Sequence, residues 1–216
     1  MSGEKYLIPM IPVKGIVVFP GMSVSFDIAR EKSIFALSTA MNNDQKIFIT
    51  SQTDLAEDDP DITQLNKMGS IAIVKNVLNQ QNGFVHVTVE GIERAELLSI
   101  ESIKPFFMVK VKECKSKSVE DSLHEVALMN MARDLFEQYI NTLVSVPPGL
   151  IMKIEMQKDP GQFSDMIAYN FIEDYDRQQK LLSELVIGNR LENLITFMLE
   201  ELDLISLRTE MSQKFK

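Results

Sequence analysis

Apolar and polar residues follow two different periods along this chain. Up to about Cys114 the period is two: Val85, Val87 and Val89 alternate with His86 and Thr88, and Phe107, Val109 and Val111 alternate with Met108 and Lys110. Each alternation predicts a strand with one buried face. Between Ile71–Leu78 and Phe84–Val89 lies NQQNG, whose Asn82-Gly83 supplies the positive-φ residues that a hairpin turn needs. Gly91, directly after that strand, predicts a bulge or a tight turn, and Lys46–Thr50 (KIFIT) predicts another short strand. Val17–Met22 (VVFPGM) reads as a buried strand running into a Pro-Gly corner, with large apolar side chains at Phe19 and Met22 where loops normally turn polar. One helix interrupts this region, over Glu31–Met41, with Ile34, Leu37, Ser38 and Met41 at helical spacing and NND to end it. The acidic stretch Asp54–Asp61 contains a proline and lacks the spacing of a calcium loop, which predicts a solvated loop. Six or so short strands, one helix and many turns predict a partly closed barrel or sandwich.

After KSKSVED the period lengthens. Ser118 and Asp121 stand as in a capping box. Leu123, Ala127, Met131, Leu135, Tyr139 and Leu143 then recur every four residues, with Leu128, Ala132 and Phe136 beside them, the wide stripe of a long helix. Val146-Pro147-Pro148-Gly149 breaks that helix, because two prolines cannot continue it. Asp159-Pro160 reads as an N-cap followed by proline in the first turn, and Asp174 as the cap that opens DRQQKLLSEL. A last helix carries Leu191, Leu194, Ile195, Met198, Leu202 and Ile205 along one face, with no stop signal after them. The expectation is that the natural polypeptide continues. The change of period places a boundary between a β-rich domain over residues 1–116 and an α-helical one over residues 117–216.

Composition narrows the function classes. Of 216 residues, 45% are hydrophobic and 25% charged, enough to build a core. A net charge of −9 repels phosphate backbones and argues against nucleic acid as a partner. No run reaches the roughly 20 apolar residues that cross a bilayer, so no membrane partner is expected. Cys114, the single cysteine, permits no internal disulfide, which fits a reducing compartment, and the expected location is cytoplasmic. There is neither a GxxxxGK[ST] nor a GxGxxG loop to cradle a nucleotide. Two isolated histidines, His86 and His124, and one cysteine fall short of the ligands a zinc site needs. No serine or cysteine has a base beside it in sequence, and no carboxylate pair stands out for acid–base work. No catalytic, cofactor or metal residue is assigned, and the residues read as those of a binding or assembly module.

Several separated motifs, in order, resemble the N-terminal domain of the ATP-dependent Lon proteases of bacterial type. They are IPMIPVKGIVVFPGM (Ile8–Met22), DIAREKSIFAL (Asp27–Leu37), DLAEDDPDITQLNKMGSIAIV (Asp54–Val74) and VTVEGIERAELL (Val87–Leu98). DRQQKLLSEL (Asp176–Leu185) and RLENLITFMLEEL (Arg190–Leu202) fit the same family more loosely. The resemblance implies an α+β fold: a PUA-like compact β-barrel or sandwich with one helix, followed by an all-α bundle ending in a long helix. It implies substrate capture and assembly for a hexameric ATP-dependent serine protease of protein quality control. That enzyme's ATP, Mg²⁺ and Ser-Lys dyad would belong to domains outside this chain, which itself would catalyse nothing.

Two contact surfaces are expected. Unfolded or damaged protein substrates offer apolar side chains, and flexible, polarisable methionine suits a surface that must re-pack around them. Among 13 methionines, Met22 is selected because it follows Pro20-Gly21 in a turn and belongs to no periodic stripe. Phe19, at the end of an apolar run, stays open between core and contact. Arg30 and Arg94 match family positions and are explained equally well by structural ion pairs. Leu191, Ile195, Met198 and Leu202 pack within the bundle or, alternatively, associate with other subunits. A chiefly oligomerising element, or a stand-alone receptor of the same family, is the alternative function.

Overall fold

The computed structural model describes residues 3–79, 83–118 and 122–214. The chain divides into two compact units, residues 1–115 and 116–216.

Among the described residues, the first unit holds six strands and one helix: β1 (Lys5–Val13), β2 (Ser23–Ile28), α1 (Glu31–Met41), β3 (Lys46–Ser51), β4 (Met68–Asn79), β5 (Val85–Ser102) and β6 (Met108–Glu113), with a 3-10 turn at Ile62–Gln64. The sheet order is β2-β5-β4-β3-β1-β6, and β5 pairs with β6 as well. The pairings β1–β3–β4–β5–β6–β1 therefore return to their start, a partly closed barrel, with β2 attached outside the circuit through β5. Only β1 and β3 run parallel.

One strand serves two parts of this circuit because it is bulged. Register shifts leave Ile92, Leu98 and Glu101 as extra residues on β5. Each bulge bends the strand and sharpens its twist, so residues 85–96 face β4 and residues 95–102 face β6. The bulge expected at Gly91 is present, but the strand does not end before it and continues to Ser102. Inside the circuit lie Ile8, Met10, Phe48, Ile71, Ala95, Val109 and Val111.

Pro9 and Pro12 both sit in β1, and the ladders accommodate them. β1 pairs with β6 from Lys5 to Pro9 and with β3 from Met10 to Val13. One ladder ends where the other begins, so the N–H groups that proline lacks fall where a ladder has run out.

The helix over Glu31–Met41 spans the residues expected, with a different face inward. Ser33, Ala36, Leu37 and Ala40 are buried, whereas Ser38 and Met41 are exposed. Small side chains let α1 lie close against β1 and β3, and that proximity outweighs the hydrophobicity of Met41. The Val17–Phe19 segment is buried but irregular, which corrects the expected strand. Gly83 has φ +83, as a hairpin turn requires, while Asn82 lies outside the described residues.

In the second unit, α2 (Ser122–Ile140), α4 (Pro160–Phe171) and α5 (Tyr175–Ser183) pack against α6 (Ile187–Lys214), and α3 (Pro148–Glu155) packs on α4. Asp121 of the expected capping box lies outside the described residues. Asp159 Oδ1 accepts the Gln162 N–H at 2.7 Å and Asp174 Oδ1 accepts the Arg177 N–H at 2.9 Å, so both expected N-caps form. Pro148 opens α3 as a first-turn residue. The buried stripe of α2 runs through Met129, Ala132, Leu135 and Phe136; Leu123 and Met131 of the expected stripe are exposed. Arg190 and Asp165, both buried, form an ion pair at 3.3 Å, and the Arg190 guanidinium also donates to Ser116 Oγ and to the Glu184 carbonyl.

Candidate functional site

The residues that could carry chemistry are engaged in structural contacts. Among the described residues, no group of three His, Cys, Asp or Glu side chains could hold a metal ion. His86 Nδ1 lies 2.7 Å from Asp27 Oδ1, and His124 Nε2 lies 3.3 Å from Glu192 Oε1. Cys114 is half-buried; burial pushes its thiol up, and its Sγ donates to the Lys112 carbonyl. Its environment is the reverse of the electropositive one that activates a thiolate.

The Phe-Pro-Gly-Met corner is a built feature. Met22 N–H donates to the Phe19 carbonyl at 3.1 Å across the turn, and Gly21 takes φ +76, which fits a type II turn with proline in its second position and glycine in its third. Gly91 then fixes the turn to β5: its carbonyl accepts from Gly21 N–H at 2.8 Å, and its own N–H donates to the Met22 carbonyl at 3.0 Å. The irregular segment before the turn is strapped down by two buried hydroxyls. Ser51 Oγ donates to the Ile16 carbonyl, and Ser70 Oγ donates to the Val18 carbonyl at 2.5 Å. These bonds replace the strand partners that the segment does not have.

This scaffold sorts the expected contact residues. Phe19 is completely buried and belongs to the core. Pro20 and Met22 are half-buried, at the tip of the turn. Sequence reasoning did not select Ile92, the extra residue of the first β5 bulge, which is exposed directly after the Gly91 that holds the turn. The glycine-bulge signal was its only trace. In α6, Leu191, Ile195 and Met198 are buried within the helical unit, and Leu202 is half-buried. Arg94 is buried, and its carbonyl accepts from Cys114 N–H.

Beside the segment that leads into the turn, the acidic loop is pinned at three points. Lys14 Nζ donates to Asp58 at 2.7 Å and Lys32 Nζ to Asp59 at 2.6 Å. Gln52, fully buried, accepts from Arg30 Nη2 at 2.7 Å and donates to the carbonyls of Asp54 and Glu57. The Lys14 hydrogen bond, followed by its charge, holds the Asp58 carboxyl below the usual carboxylate range; bonds from the Thr63 hydroxyl and N–H do the same for Asp61. Between the end of β1, the end of β2 and the start of α1 lies an open cavity of about 230 Å³.

Comparison with known proteins identifies this arrangement. Residues 7–200 match the family described as the ATP-dependent protease La (LON) substrate-binding domain. The chain is 32% identical over 216 residues to a Lon protease of Clostridium acetobutylicum and 35% identical over 203 residues to one of Halothermothrix orenii. All of this chain, or 94% of it, aligns in these two cases, but it spans only 28% and 26% of the relatives' lengths. Among solved structures, the N-terminal domain of a Mycobacterium avium complex Lon protease superposes with a TM-score of 0.71 at 20% identity, covering 89% of this chain and 98% of that one. A Lon N-terminal domain protein from Xanthomonas campestris gives 0.59 at 12% identity, covering 89% and 99%. The fold is thus that of solved Lon N-terminal domains, and the chain belongs to the Lon substrate-binding domain family.

Proposed function

We propose that this chain is the substrate-recognition and assembly module of an ATP-dependent serine protease that degrades misfolded and regulatory proteins. The chain binds exposed apolar segments, and the ATPase and protease chemistry, with its ATP and Mg²⁺, belongs to domains of the longer protein. The observation that carries this reading is the family match over residues 7–200. The turn at Pro20 and Met22, with Ile92 beside it, supports the choice of surface: Pro20 and Met22 are partly exposed and Ile92 is exposed, on a backbone that hydrogen bonds hold in place. Such a patch needs little ordering when it meets a partner.

Photo-crosslinking from position 22 to an unfolded model polypeptide tests the assignment. Adducts at position 22, together with about tenfold weaker binding in Met22→Asp, are expected. Adducts confined elsewhere, with Met22→Asp unchanged, would overturn it.

Self-association is supported by a separate observation. Leu204, Leu207 and Met211 are exposed on the second half of α6, beyond the buried Met198. Sedimentation over a range of concentrations should show reversible dimers or larger species, and a strict monomer throughout would count against it.

A further inference from the structure

We infer that the outward face of α2 is the surface on which the second half of α6 from another copy of this chain docks. The inference rests on the self-association read above from α6 and names the surface that α6 meets.

α2 is apolar on two opposite faces, and only one of them is covered. Met129, Ala132 and Phe136 are buried on the side that packs against α6. Leu123, Ala127 and Met131, three members of the stripe read from the sequence, lie on the opposite side and are exposed, Leu123 at 79% and Met131 at 47%. Val126 widens the same stripe and is exposed as well. A surface helix normally turns polar residues outward, and a contiguous apolar patch left in water marks a place of contact. The second half of α6 shows the same excess: Leu204, Leu207 and Met211 follow one another at steps of three and four along one side, and all are exposed.

Their charges say what covers each face. From N- to C-terminus, α2 presents Leu123, Ala127, Met131 and then Asp134, whereas α6 presents Leu204, Leu207, Met211 and then Lys214. Laid side by side in the same direction, the two stripes match three apolar positions and bring opposite charges to one end. Glu137 makes the rim on α2 more acidic, and Arg208 makes the rim on α6 more basic. Among the described residues, none of Asp134, Glu137, Arg208 and Lys214 is held in an ion pair of its own chain. Arg133, beside Asp134, is directed at the carbonyls of Glu155 and Gln157. Of the acidic residues on this part of α6, Asp203 falls against the first turn of α2, whose positive dipole end favours it, and Glu210 lies farther round the helix.

Other pairings of the same faces are poorer. Two α6 stripes together would set Arg208 beside its own copy, and two α2 stripes laid in the same direction would do so with Asp134. Like charges brought together across an interface cost affinity. Nor can the two faces meet within one chain, because the covered side of α2 already rests on α6 and the stripe points away from it. Each copy therefore offers both halves of the contact, which runs head to tail and either closes into a ring or extends.

Sedimentation of the 216-residue protein with two exposed-site variants tests this. Ala127→Asp and Leu207→Asp should each weaken association at least about tenfold. Mixed in equal amounts, they should form pairs again, because the intact α2 of one meets the intact α6 of the other. A charge exchange keeps the apolar stripes unchanged: Asp134→Lys alone should weaken association, and Asp134→Lys with Lys214→Asp should restore it. If Leu207→Asp is monomeric while Ala127→Asp associates like the parent, self-association through α6 stands and α2 is not its partner. If both variants are monomeric and their mixture is too, each face pairs with its own kind and the inference is overturned. A parent that is monomeric at every concentration removes both readings.

Discussion

The carbonyl oxygen of Phe19 lies 2.3 Å from where a β-carbon on Gly91 would stand. This contact brings the irregular segment before the turn against the bulge of β5, and only glycine leaves room for it. Gly91→Ala should therefore cost about 1–3 kcal/mol through overpacking and push the turn off the strand. Chemical denaturation measures the first effect. Loss of protection at the Gly21 amide in hydrogen exchange reports the second.

Ser70→Ala tests the strap on the other side of the segment. The Val18 carbonyl would lose its bond from a buried hydroxyl, at a cost of about 1–3 kcal/mol. The midpoint of denaturation should fall with its slope unchanged, as expected when a contact is lost without a change in the surface exposed on unfolding.

How much of this could be read from the sequence depended on how local the cause was. Asp159 and Asp174 were readable as N-caps because the acceptor and the N–H it serves are only three residues apart. The span of α1 was readable for the same reason. Its buried face was not, since Ser33, Ala36 and Ala40 are inward on account of the distance to β1 and β3, which no helical period encodes. Phe19 could not be sorted from sequence either: its burial depends on Gly91, 72 positions later, and its local context fits core and surface equally. Ile92 lies outward because β4 is one residue short opposite it, a property of the pair of strands and not of either alone.

Within the helical unit, Arg190→Met should be strongly destabilising. It would leave Asp165 in the interior without its guanidinium, a loss of about 3–5 kcal/mol for a broken buried pair. Replacing both partners, as Arg190→Met with Asp165→Leu, should recover much of that stability. Thermal denaturation of the single and the double variant against the parent provides the comparison.

Acid should loosen the loop over Asp54–Asp61. Asp58 titrates below the ordinary carboxylate range because Lys14 hydrogen-bonds to it, and Asp61 does so through Thr63. A depressed folded-state pKa means that the stabilisation is fully present above the unfolded value, near pH 4, and is lost as pH falls through the folded value. Amide shifts of the loop should therefore be constant from neutral pH down to about pH 4 and change below it. Asp58→Asn should remove the part of that change reported near Lys14.

The turn at Pro20–Met22 is held by main-chain hydrogen bonds through Gly21 and Gly91. Its shape is thus independent of the side chain at position 22. If Met22 is the contact proposed above, a receptor built this way can exchange that residue over evolutionary time without refitting the frame that presents it. Related chains could keep one geometry while their substrate preferences diverge.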